Sequence, residues 1–231
     1  SDEEFNDSKN NILYCLNETN SNLNYYNGSL EYYVASESRY VKSKDAIETY
    51  LNETNNTSSK IYFPGLLTRS ELWCNSARLM SKNSDNSHFN KEDLGLFVKS
   101  KLVQYISNSS SSLDKTRALY SEGYYGAALN EIINYESMFI ECENYDFEYS
   151  WPKMMYSHSI YLNSSDRFGN DSYYEISKYA CSYDRVLREF NSSYKQSEES
   201  TIGIYLFPVL LILILFILSI IYIFLKFKCK I

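Results

Sequence analysis

Residues 202–225 read IGIYLFPVLLILILFILSIIYIFL, twenty-four positions without a charged side chain. An α-helix rises about 1.5 Å per residue, so a helix of that length crosses a hydrocarbon core of roughly 30 Å with some tilt. The stretch predicts a single membrane helix. Its flanks predict the orientation: Lys226, Lys228 and Lys230 follow it and Glu198 and Glu199 precede it. Lysines stay on the cytoplasmic side, which places residues 1–200 outside the cytoplasm. The expected layout is an extracytoplasmic helical domain over 1–190, a polar stalk over 191–201, the span over 202–225 and a short cytoplasmic tail over 226–231.

Asn-x-Ser/Thr sequons fit that placement. They occur at Asn6, Asn17, Asn27, Asn52, Asn55, Asn56, Asn108, Asn163, Asn170 and Asn191. Chance supplies part of this in a chain rich in Asn and Ser. The expectation is that several carry N-linked glycan, on solvent-facing loops and helix ends. The chain opens SDEEF, with neither a basic start nor an apolar signal core, which looks like a processed end.

Cys15, Cys74, Cys142 and Cys181 precede the apolar stretch, an even number that allows two disulfides in three pairings. Buried free thiols or a single bridge are the alternatives. A Cys142–Cys181 bridge would staple the helices on either side of a shorter helix near residue 155, leaving Cys15 with Cys74. Cys229, among the terminal lysines, is then a free thiol or a lipidation site. No pair has C-x-x-C spacing.

The first 54 residues carry a stripe at alternating spacings of four and three: Ile12, Leu16, Leu23, Tyr26, Leu30, Tyr33, Tyr40, Ile47 and Leu51, with Thr19, Glu37 and Lys44 in the remaining places. The period is helical and close to that of packed long helices. Asn27-Gly28 marks a break between two helices, or else Gly28 is a tolerated weak point in one. The stripe is too aromatic for a free coiled coil, which favours a globular bundle. Residues 52–59 read as a loop, and Tyr62-Phe63-Pro64-Gly65 as the end of a regular element. Thr68 with Glu71 has capping-box spacing for the next helix. Residues 81–90 read as a loop containing a solvent histidine, His88.

Leu94, Phe97, Leu102, Tyr105 and Ile106 predict a helix, interrupted by the serines of 107–112. A second helix runs over 113–122 and a third over 124–145. The segment ALYSEGYYGAALNEIINY (118–135) has the Gly-x-Tyr-x-x-Ala spacing of a tetratricopeptide-like hairpin at Gly123, Tyr125 and Ala128, with Tyr120 on the first helix. One hairpin is not a repeat array. Trp151-Pro152 suits a helix start leading through Met155, Ile160 and Leu162. Ser172 and Glu175 form another capping box, followed by Ile176, Tyr179, Ala180, Tyr183, Leu187 and Phe190 on one helical face. The class expected is all-α.

Tyr120 to Tyr135, the aromatic-rich residues 150–161 and the 171–190 helix together resemble the helical, membrane-anchored C-terminal region of exported archaeal Lon-like (S16-type) serine proteases. That resemblance implies an accessory or anchor portion of an envelope protease, because no stretch matches the family's catalytic domain.

No other chemistry stands out. His88 and His158 lie seventy residues apart without a carboxylate pattern, and the seven glycines are scattered singly. No catalytic, cofactor-binding or metal-ligating residue is expected, and the acidic balance, net charge -7, disfavours nucleic acid. The twenty-four tyrosines read as core residues at helix crossings. The functional expectation is a non-catalytic, glycosylated, membrane-anchored subunit, partnered by membrane lipid and an integral membrane or envelope protein. The alternatives are the protease accessory portion and a surface-layer stalk protein.

Overall fold

The structure, a computed structural model, describes residues 2–54, 63–83, 89–140 and 178–193. Among them there are seven helices and no strand. Six are α1 (Asp2–Asn24), α2 (Leu30–Thr54), α3 (Phe63–Ser81), α4 (Lys91–Gln104), α5 (Ser111–Ser121) and α6 (Tyr125–Ser137). The seventh, α7, covers residues 178–193. The chain divides into two compact units, Ser1–Leu187 and Arg188–Ile231. In the second, the hydroxyls of Ser192 and Ser193 donate back to the Glu189 carbonyl within the last turns of α7.

The stripe of the first 54 residues breaks after Asn24 and resumes at Leu30, so Asn27-Gly28 is a turn between two helices. Ile12, Leu16, Thr19 and Leu23 are buried on α1, and Leu30, Tyr33, Glu37, Tyr40 and Ile47 on α2. α2 is the common partner. It packs along α3, α6 and α1, and every residue from Tyr33 to Val41 is buried.

Antiparallel α2 and α3 meet through small side chains. Ser36 Oγ donates to the Ala77 carbonyl at 2.7 Å, and seven residues on, Ser43 Oγ donates to the Ser70 carbonyl at 2.7 Å. Hydroxyls of this size let the helix backbones approach while each keeps a hydrogen-bond partner. On its other side α3 runs in the same direction as α1. Cys15 and Cys74 are disulfide-bonded with a Cα separation of 6.2 Å, inside the normal span for such a bond. Glu18 pairs with Arg78 at 3.4 Å and Lys82 at 2.5 Å. Asn22 Nδ2 donates to Ser81 Oγ at 3.1 Å one turn further along.

α4 starts at Lys91, three residues before Leu94, because the Asn90 side chain caps it by accepting from the Glu92 amide at 2.8 Å. Ser110 caps α5 in the same way, accepting from the Leu113 amide at 3.1 Å. α5 and α6 form a hairpin. Its turn needs Gly123 at φ +83°, the left-handed region where a Cβ is strained, and Tyr120 and Tyr125 meet across it at 5.4 Å. α3 begins at Phe63, through Pro64 and Gly65 and five residues before Thr68. Proline is compatible with a first turn, whose amides need no intrahelical acceptor.

The expected architecture therefore needs correcting. It is an all-α bundle of seven helices among the described residues, and no described helix is long and apolar enough to cross a membrane. α2 has the length, at 25 residues, but charges such as Glu31, Arg39, Lys42 and Asp45 lie along it. The stretch 202–225 lies outside the described residues, as do the predicted helices over 151–162 and at Ser172–Glu175, and His88 and His158. With no spanning helix among the described residues, single-pass anchoring, the extracytoplasmic placement and the lipid partner are not retained.

Candidate functional site: two buried carboxylates at the ends of α6

α6 is the most enclosed of the described helices, with Gly126 through Ile133, Tyr135 and Glu136 all buried. Its two ends are each held by a buried glutamate. Desolvating a carboxylate is expensive, so a buried one must be compensated by donors or neutralised by a proton. The two ends solve this differently.

At the C-terminal end, Glu136 joins three helices. Lys101 of α4 pairs with Oε1 at 3.2 Å, and the hydroxyl of Tyr105, at the C-cap of α4, donates to the same oxygen at 2.6 Å. Arg185 of α7 pairs with Oε2. Glu136 is 3% exposed and Lys101 4%. Burial pushes the Glu136 carboxyl up, but the hydrogen bonds from Tyr105 and Arg185 and the charges of Lys101 and Arg185 outweigh it. The group is held below the usual carboxylate range. α7 follows α6 in register: the Tyr179 hydroxyl donates to Asn130 Oδ1 at 2.6 Å and the Ser182 hydroxyl to the Ile133 carbonyl at 3.0 Å.

At the N-terminal end, the N-cap residue Tyr124 makes no side-chain capping bond. The cap comes from another helix. Glu37 Oε2, from α2, accepts from the amides of Gly126 at 2.6 Å and Ala127 at 3.0 Å, while the Tyr33 hydroxyl lies 2.6 Å from Oε1. Gly126 makes this approach possible, since a Cβ there would lie 3.0 Å from both Glu37 Oε2 and the Tyr33 ring. Lys91 is near but not paired. Its ammonium lies over the Tyr33 ring at 4.9 Å and donates to the Leu23 carbonyl. No lysine or arginine forms an ion pair with Glu37 among the described residues, and burial drives its carboxyl above the ordinary range against the pull of Tyr33, the two amides and Lys91.

No protein-family model matches the chain. It matches no curated protein and no solved structure. The resemblance to Lon-like proteases is thereby overturned: its hairpin pattern is one that any close helical crossing with Gly and Ala produces. The protease-accessory and surface-layer readings fall with it, as does the membrane-anchored subunit.

Asn6, Asn17, Asn27, Asn52 and Asn108 are exposed, Asn191 is partly exposed, and Asn55, Asn56, Asn163 and Asn170 lie outside the described residues. Exposure alone carries no glycan reading, and the Asn108 amide is engaged in donating to the Tyr135 hydroxyl at 2.7 Å. The glycan partner is not retained. Cys181 is disulfide-bonded; Cys142 and Cys229 lie outside the described residues. Among the described residues no group of three His, Cys, Asp or Glu side chains is placed to hold a metal ion. Neither Glu37 nor Glu136 was singled out as a site. The available signal was Glu37 on the buried stripe of α2, a charge where the period demands a core residue.

Proposed function

We propose that the chain is a non-enzymatic helical scaffold, in which buried ion pairs, helix-to-helix hydroxyl bonds and a disulfide fix the helices around α6. The observation that carries this reading is Glu136. Both of its oxygens are taken by donors of the protein itself, one of them the 4%-exposed Lys101, which leaves no face for a substrate. Catalytic carboxylates are typically the reverse: destabilising in their folded surroundings, so that replacing them raises stability.

The test is Glu136→Gln followed by chemical denaturation. A scaffold residue should lose about 3–5 kcal/mol, because the buried Lys101 loses the carboxylate it pairs with. A variant as stable as the parent, or more so, would sink the scaffold reading and reopen Glu136 as a functional acid.

A further inference from the structure

The Glu37 cluster does something the scaffold does not require. We propose that Glu37 carries a proton in the folded chain and that losing it, as the solution becomes less acidic, loosens the docking of α6 on α2: a proton-dependent latch.

The heavy-atom geometry at Oε1 and Oε2 accommodates the neutral acid. The Tyr33 hydroxyl donates to Oε1 at 2.6 Å when Glu37 is ionised; with the proton on Oε1 the donation reverses over the same distance and the Tyr33 hydrogen turns away. Oε2, now the carbonyl oxygen, still accepts from the Gly126 and Ala127 amides. Once ionised, the same group is a charge at 4% exposure with no ion pair among the described residues. The Tyr33 hydroxyl, the two amides at the partial positive end of α6 and the charge of Lys91 favour that charge, though by less than burial opposes it. Glu136, at 3% exposure, shows the contrast: it meets one lysine and one arginine and fits only the ionised form.

Among the described residues few groups face Glu37. Tyr33 comes from its own helix, Lys91 from α4, and Tyr125 from α6 adds its influence on Tyr33. Tyr183 of α7 reaches α2 on an earlier turn, donating to the Glu31 carbonyl at 3.0 Å. Burial favours the uncharged state of Lys91 as well, so the nearest cation is a weak counter-charge. Tyr33 is pushed well above the ordinary phenol range by burial and by Glu37, and stays protonated throughout.

A proton bound in the folded chain but released in the unfolded one makes stability fall with rising pH. The contribution is fully present below the ordinary glutamate value of about 4.5 and is lost as pH rises through the folded-state value. In that window the unfolding equilibrium should shift about tenfold per pH unit relative to a variant that cannot ionise. The experiment compares the full chain with Glu37→Gln across that range by denaturant unfolding. Glutamine retains the carbonyl acceptor for the two amides and a donor for Tyr33. Other titrating groups are common to both proteins and cancel in the difference. In parallel, the Glu37 carboxyl carbon of the unmodified chain is titrated by NMR, which decides the matter even if the variant does not fold. The expected result is a carboxyl that titrates above the ordinary range, with a stability gap to the glutamine variant that widens as pH rises and then levels. A carboxyl that titrates at or below the ordinary range, or a gap that is flat with pH, overturns the latch and makes Glu37 a permanently ionised cap.

Discussion

Ser43 and Ser70 each donate their hydroxyl to the other's backbone carbonyl across the α2–α3 interface, at 2.7 and 2.8 Å, with the two oxygens 3.0 Å apart. Both side chains are fully buried. Reciprocal bonding of this kind satisfies two hydroxyls where a larger apolar side chain would push the helices apart. Ser43→Ala should cost about 1 kcal/mol, the net worth of an intramolecular hydrogen bond. Ser43→Leu should cost about 1–3 kcal/mol through overpacking, although it adds apolar surface. Denaturant unfolding of the two variants ranks them, and a leucine variant as stable as the alanine one would mean the interface is looser than its backbone spacing implies.

Lys101 is the second test of the α6 C-terminal end. Lys101→Met leaves Glu136 buried with Tyr105 and the half-exposed Arg185 alone, and should cost about 3–5 kcal/mol. The pH dependence has a definite sign. The Glu136 carboxyl is lower in the folded chain than in the unfolded one, so its contribution is present above the ordinary value of about 4.5 and is lost as pH falls through the folded value. The acid limb of the stability curve should therefore flatten in Lys101→Met relative to the parent. An unchanged acid limb would remove Glu136 as its source.

Much of this arrangement was legible in the sequence, for reasons particular residues make plain. The stripe from Ile12 to Ile47 places the buried faces of α1 and α2 because a 3.6-residue period leaves no other face to bury. Gly123 announces its turn because only glycine is at ease at φ +83°. Glu37 occupies a stripe position, but a single charge on an apolar face does not say which distant amides it meets. The contact with Gly126 spans 89 residues. The serines of α2 and α3 escaped for a similar reason. Ser36 and Ser43 are polar by composition and core by position, and the heptad spacing shared with Ser70 and Ala77 becomes informative only once the two helices are known to be antiparallel neighbours. The start of α3 was misplaced because Pro64-Gly65 signals a break in isolation yet is tolerated in a first turn.

The Cys15–Cys74 bond closes a loop of 59 residues. In the chain-entropy picture it stabilises by about 4 kcal/mol, since the cross-link removes that much freedom from the unfolded chain. Cys15→Ser with Cys74→Ser should lower the unfolding free energy by an amount near this, with the Asn22–Ser81 hydrogen bond still bridging α1 and α3. A loss well under 1 kcal/mol would show that the remaining α1–α3 contacts already restrict the unfolded ensemble.

Cys181 is fully buried and disulfide-bonded, and Cys15 and Cys74 are taken by each other. Cys142 or Cys229 is left as its partner. The expectation is Cys142, which would staple the chain following α6 to α7, with Cys229 a free thiol. Non-reducing peptide mapping decides it: a linked Cys142–Cys181 peptide is expected, and a linked Cys181–Cys229 peptide would sink the pairing.

Gly126 sets two opposing effects against each other. In a helix, replacing glycine by alanine ordinarily stabilises by about 1 kcal/mol, because the backbone loses less freedom on folding. At this position the new Cβ would lie 3.0 Å from Glu37 Oε2 and 3.0 Å from the Tyr33 ring, so one of them must retreat. Neither is free to do so. Glu37 is held by Tyr33 and by the amides of Gly126 and Ala127. The Tyr33 ring packs against Phe89 at 5.0 Å and Tyr26 at 5.6 Å, with the Lys91 ammonium over it. Overpacking a site with no slack costs about 1–3 kcal/mol, and weakening the two amide bonds to Glu37 adds to it. Gly126→Ala is therefore expected to be destabilising in net, and to lower the pH dependence attributable to Glu37 by opening the cluster to water. Gly123→Ala serves as the comparison. It meets no neighbour within 4 Å, so its cost arises from the left-handed backbone alone, about 1–2 kcal/mol, and it should leave the pH dependence untouched. Thermal unfolding of both variants at two pH values separates them. A Gly126→Ala protein more stable than the parent would mean that α6 can draw back from α2 at no cost, and that the Glu37 contact does not hold the two helices together.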